Sequence, residues 1–139
     1  MRNHFKINGR RGAFQLVSAG VYLIVGLSFL LAPASGSRST SLRWLTEYVP
    51  LEPFAALWVI AAALAAAAAF RCRPRDWFGF AALVFAPAVW GALFFIGAFT
   101  ANPASFTSAA VYWLFAALSM IVSGMQGERD RDLRTTHEP

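Results

Sequence analysis

Four long runs without a charged residue divide this chain. They cover residues 13–34, 54–70, 77–100 and 105–124, and all 19 Lys, Arg, Asp and Glu residues lie between or beyond them. A hydrocarbon core about 30 Å thick needs about 20 apolar helical residues to cross it. Three runs reach that length and the second, with 17 residues, lies at its lower limit. The runs lack the polar face of a soluble core helix, so we predict an all-α membrane protein with four transmembrane helices in an up-down bundle.

Composition supports the same class of protein. The chain has 139 residues, of which 58% are hydrophobic and only 14% charged, whereas a soluble domain has about 25% charged residues. The length fits one domain. The predicted organisation is a basic tail over 1–12, a four-helix transmembrane domain over 13–124 and a charged tail over 125–139.

The basic residues are distributed unevenly between the connections. Ten of the 12 lie in the two tails and the 71–76 connection, and two lie in the first outer loop. Short cytoplasmic loops carry such an excess of Lys and Arg. We therefore predict a multi-pass protein of the cell's inner (cytoplasmic) membrane with both termini cytoplasmic. The residues expected to set this topology are Arg10, Arg11, Arg71, Arg73 and Arg75.

The net charge of +5 is explained by this orientation together with contact to anionic lipids, and nucleic acid is not expected as a partner.

Besides a retained first transmembrane helix, a second interpretation of the N-terminus stays open. A basic start, an apolar run and the small residues 32–35 also resemble a cleavable signal peptide, whose removal would leave three spans. The run is longer than the usual apolar core of such signals, which favours retention.

The first outer loop contains the segment STSLRWLTEY. Leu42, Leu45 and Val49 share one helical face, and Arg43 and Glu47 have the spacing of an i,i+4 ion pair. This pattern predicts a short helix lying on the outer membrane interface. Trp and Tyr side chains are enriched at such interfaces, and the predicted interface anchors are Trp44, Tyr48, Trp58 and Trp77.

Small residues and one proline are the predicted helix-packing positions, because small side chains let helices approach closely in lipid. Proline removes a backbone donor, which neighbouring helices must compensate. These positions are Ala61, Ala65, Ala69, Pro87, Gly91 and Gly97.

Residues suited to catalysis are scarce. The four runs contain no ionisable acid, base or histidine, and their most polar side chain is that of Gln15. The interfacial acids Glu47, Glu52 and Asp76 form no recognisable catalytic motif. We therefore predict no catalytic, cofactor-binding or metal site and no enzymatic activity. The lack of a membrane-embedded carboxylate also argues against a small proton-coupled drug exporter.

Three stretches, RRGAFQLVSAGVYLIVGLSFLLAP, LWVIAAALAAAAAFRCRPRDWFGFAALVFAPAVWGALFF and VYWLFAALSMIVSGM, together resemble the small four-helix membrane proteins of actinobacterial tailed phages. The resemblance implies a phage-encoded membrane protein, and some members are treated as holin-like. Two functions follow as hypotheses. The first is holin-like permeabilisation, in which copies of the chain self-associate. The second is a non-lytic interaction in superinfection exclusion, host-envelope modification or an accessory subunit. The expected partners are the lipid bilayer and, for the first function, further copies of the chain.

Overall fold

The computed structural model describes Ile7 and residues 9–31, 40–71 and 75–125. Within these residues the chain is helical and has no strand. The helices are α1 (Gly9–Leu31), α2 (Arg43–Thr46), α3 (Glu52–Ala68), α4 (Trp77–Thr100) and α5 (Ser105–Gly124). The three helices α1, α4 and α5 are long and apolar enough to cross a membrane, and α3 is apolar but has only 17 residues.

Helices α4 and α5 have the bounds of the third and fourth apolar runs, whereas α1 and α3 are displaced from theirs. Helix α1 begins at Gly9, ahead of the expected start at residue 13, so Arg10 and Arg11 belong to the helix and not to a tail. Helix α3 begins at Glu52 because Pro53 occupies its first turn, where the missing N–H costs no hydrogen bond. Residues 32–34 of the first run lie outside the described residues.

The long helices alternate in direction. At one end of the bundle, Arg11 near the start of α1 contacts Asp76 at the start of α4 and Ser123 at the end of α5. At the other end, Gly97 of α4 lies against Ser41, just before α2. Helix α3 packs between α1 and α4, and α5 packs on α4. The first and last described helices therefore have their outer termini at the same end, which we call the arginine end.

Aromatic rings fill the centre of the bundle. The Trp58 ring of α3 meets the ring of Tyr22 edge-on at 4.7 Å between centroids and lies 5.6 Å from that of Tyr112. On α4, the Trp90 ring lies 4.2 Å from that of Phe29. Such tilted and edge-on pairs add to the packing energy of each ring. The interior of one chain is thus occupied by side chains.

Proline 87 lies inside α4 without ending the helix. Its missing N–H leaves the carbonyl of Leu83, four residues earlier, without its helical donor. The hydroxyl group of Tyr22 on α1 donates a hydrogen bond to this carbonyl, with 2.7 Å between the oxygens. A neighbouring helix therefore replaces the donor that the proline removed.

Helix α2 packs against the end of the bundle opposite the arginine end. Leu42 and Leu45, on one side of this single turn, are buried in the core. A Cβ atom at Gly97 would collide with the Ser41 carbonyl oxygen. The missing side chain at Gly97 thus allows α4 to approach this segment closely. Arg43 and Glu47 form the expected ion pair at 3.4 Å.

Candidate functional site

A buried ion pair lies at the arginine end of the bundle. The Nε and Nη2 atoms of Arg11 both lie 3.0 Å from Oδ2 of Asp76. The side chains are 12% and 1% exposed, respectively. The guanidinium group also lies over the ring of Phe80, 4.6 Å from its centroid. Both charges are thus held inside the bundle, where each depends on its partner for solvation.

The remaining Arg11 nitrogen is directed at the end of α5. Its Nη1 donates to the carbonyl oxygens of Ser123 at 2.6 Å and Met125 at 3.1 Å. The last carbonyls of a helix have no partner within the helix and attract cations. One arginine therefore pairs with the start of α4 and caps the end of α5.

Gln15, one turn after Arg11, completes this group. Its Nε2 donates to the backbone carbonyl of Asp76 at 3.1 Å, and the residue is fully buried. A Cβ atom at Gly79 would come within 2.8 Å of Gln15 Nε2. Gly79 thus leaves the space that this side chain occupies. We call Arg11, Gln15 and Asp76 the polar cluster; it ties three helices together at one end.

A groove of about 610 Å³ opens beside the polar cluster between α4 and α5. Arg11 and Asp76 lie at one end of it, and the residues farther along α4 reach Ala88. Its walls are mostly apolar, with Phe80, Val84, Phe85 and Met120 among the lining residues. We call this the first groove.

A second groove of about 530 Å³ lies between α3 and α4. Leu57, Ile60 and Leu64 of α3 form one wall, and Phe78 lies on the other. Trp77, Ala81 and Phe85 line both grooves. These three residues therefore form a ridge on α4 with one groove on each side.

The structure differs from the prediction at Trp58. This residue, expected as an interface anchor, is 2% exposed and lies in the aromatic core, so its indole does not face lipid headgroups. The sequence could not distinguish an interface anchor from a buried core residue, because Trp is suited to both positions. Tyr48 and Trp77 are 84% and 68% exposed, and Trp44 is partly buried against the core.

The predicted packing residues lie inside the bundle. Ala61, Ala65 and Ala69 are buried, so the small-residue face of α3 is covered by the chain's own helices. Pro87 and Gly91 are buried on α4, and a Cβ atom at Gly91 would collide with the indole of Trp113.

Among the residues expected to set topology, Arg10, Arg71 and Arg75 are exposed, whereas Arg73 lies outside the described residues. Arg71 lies 5.8 Å from the centroid of the Phe78 ring. Arg11 lies in the polar cluster, a position that its sequence context did not indicate. Its spacing of four from Gln15, the most polar residue of the first run, is the one signal that could have suggested it.

No group of three or more His, Cys, Asp and Glu side chains comes together within the described part of the chain. The fold is an all-helical bundle over the described residues, with three helices long and apolar enough to cross a membrane. The chain matches no protein-family model, and comparisons with curated proteins and with solved structures find no significant similarity. A functional proposal for this chain therefore rests on the contacts, burial and charges of its own residues.

Proposed function

We propose that the chain is a four-span integral membrane protein without enzymatic activity. In this proposal it remains a closed bundle in the cytoplasmic membrane and acts there through lateral contacts, in the non-lytic manner. Both termini and the arginine end face the cytoplasm. The 17 residues of α3 cross with the help of a locally thinned bilayer, at a modest free-energy cost.

The distribution of charge over the bundle supports this orientation. The described charged residues lie at the two ends of the bundle. The arginine end carries Arg10, Arg11, Arg71, Arg75 and Asp76, and the opposite end carries Arg43, Glu47 and Glu52. The sides between them expose apolar side chains such as Val17, Ile24 and Phe99. A net positive end is the one expected on the cytoplasmic side.

The packing of one chain supports the non-lytic role. Holin-like permeabilisation by self-association needs a face on which copies meet, and the small residues Ala61 and Ala65 of α3 would supply such a face. That face is buried within a single chain, and the aromatic core occupies the space between the helices. The burial of Tyr22 and Phe29 of α1 in this core also supports retention of the first helix.

Controlled expression in a bacterial host tests this function. Membrane potential is followed with a fluorescent dye while the amount of chain in the membrane fraction is measured by immunoblot. We expect the potential and growth to be maintained as the chain accumulates. An abrupt, delayed loss of potential would contradict the proposal and establish the holin-like function. Ala65→Leu is the matched variant, because its larger side chain disrupts the buried face of α3 and so the folded bundle. If the folded chain forms a membrane lesion, this variant should not cause the loss of potential.

A further inference from the structure

We infer that the ridge formed by Trp77, Ala81 and Phe85 is a binding site for one anionic diacyl phospholipid. One acyl chain would lie in the first groove and the other in the second. The headgroup would lie at the arginine end. This inference rests on the proposed membrane embedding and adds a ligand to it.

The shape of the surface fits a two-chain lipid. The same three side chains line both grooves, so the grooves run along opposite sides of one ridge. At 1.5 Å per residue, α4 rises about 16 Å along the first groove, from Trp77 to Ala88, and about 12 Å along the second, from Trp77 to Phe85. One leaflet contributes about 15 Å of hydrocarbon. The volumes of about 610 and 530 Å³ lie in the range of small-molecule sites.

The charge at the ends of the grooves fits an anionic headgroup. Asp76 lines the first groove, and the exposed Arg75 directly precedes it. Phe78 lines the second groove, and the guanidinium group of Arg71 lies over its ring. Basic groups between helices at the cytoplasmic side attract anionic lipid headgroups. The Arg11 charge is already neutralised by Asp76, so Arg71 and Arg75 are the residues that select the headgroup.

Native mass spectrometry of the full-length chain in a non-ionic detergent tests the site. Phosphatidylglycerol and phosphatidylcholine with identical acyl chains are titrated separately, and the first binding step is compared. Each exposed arginine contributes about fivefold to binding of an anionic lipid, so we expect phosphatidylglycerol to bind about 10- to 30-fold more tightly. The Arg71→Gln/Arg75→Gln variant should reduce this preference to about twofold. Arg43→Gln, at an exposed arginine of the opposite end of the bundle, should retain it.

A second pair of variants tests the acyl-chain positions. Ala81→Trp adds bulk on the ridge and should weaken phosphatidylglycerol binding at least fivefold. Ala92→Trp, three turns farther along the same face of α4, lies outside both grooves and should leave binding unchanged. Ala81→Leu provides a milder version if circular dichroism shows that the tryptophan variant does not fold.

Several results would overturn the lipid site. These are equal binding of the two lipids, equal effects of the variants at positions 81 and 92, or displacement of phosphatidylglycerol by inorganic phosphate alone. A dimer that Ala81→Trp dissociates would show that a second copy occupies the ridge, and would also overturn it. A chain that remains monodisperse without detergent refutes the membrane embedding itself. A detergent-dependent chain without lipid preference refutes the lipid site alone.

Discussion

Replacing Tyr22 with phenylalanine removes one hydroxyl group and keeps the ring that packs edge-on against Trp58. The hydroxyl group donates to the Leu83 carbonyl, whose helical donor is absent because residue 87 is proline. Leu83 is fully buried, so water cannot replace the lost donor. Tyr22→Phe therefore leaves a buried acceptor unpaired.

The expected loss follows from two magnitudes. Hydrogen bonds between membrane helices contribute about 0.6 kcal/mol on average and at most about 1.7. An unpaired buried acceptor costs about 1–3 kcal/mol. We expect Tyr22→Phe to lower the free energy of unfolding by about 1.5 kcal/mol. In a Pro87→Ala background, the N–H of residue 87 returns to the Leu83 carbonyl, and the same substitution should cost less than about 0.5 kcal/mol.

A double-mutant cycle measures this difference. The four variants are unfolded with sodium dodecyl sulfate in mixed micelles and followed by circular dichroism, with Tyr48→Phe as the control at an exposed tyrosine. The coupling energy between positions 22 and 87 should be about 1 kcal/mol. A coupling near zero would refute the argument that Tyr22 compensates for the proline.

Two further changes in stability follow from the structure. Asp76→Ala should lower the free energy of unfolding by about 3 kcal/mol, since it leaves the Arg11 charge buried without its carboxylate. The double variant Arg11→Met/Asp76→Leu should recover most of this loss in the same unfolding assay. A loss in the double variant as large as that in Asp76→Ala would contradict the pairing. Gly91→Ala should destabilise the bundle by about 1–2 kcal/mol because its methyl group meets the Trp113 indole. Gly20→Ala, where a Cβ atom has open space, should be neutral or stabilising by about 0.5–1 kcal/mol, and thermal unfolding in detergent compares the two glycine variants.

The sequence predicted the helical class and the bounds of the last two helices because uninterrupted apolar length determines both. It placed the start of α1 too late, at residue 13 instead of Gly9. The charges of Arg10 and Arg11 interrupt the apolar pattern, and the predicted helix therefore began after them. Whether such a charge faces water or a buried carboxylate depends on Asp76, 65 residues away along the chain. The hydrophobic pattern of the sequence does not predict the contact between Arg11 and Asp76.

The polar cluster and the grooves were beyond sequence reasoning for a related reason. Gln15 stood out as polar, yet its partner is a backbone carbonyl, which leaves no signature in the sequence. Trp77 was assigned to the interface by residue type. Its position between two grooves depends on the packing of α3 and α5 on either side of α4.

The central claim, that the arginine end of a membrane-embedded bundle faces the cytoplasm, is tested most directly by thiol labelling. Cys72 is the chain's single cysteine and lies between Arg71 and Arg73 in the sequence, so it reports on that end without engineering. A membrane-impermeant maleimide added to intact cells should leave Cys72 unlabelled and should label it in inverted membrane vesicles. The matched variant Cys72→Ser/Glu47→Cys, with its thiol at the opposite end, should show the reverse pattern. Labelling of Cys72 in intact cells, or of both positions from the same side, would contradict the account.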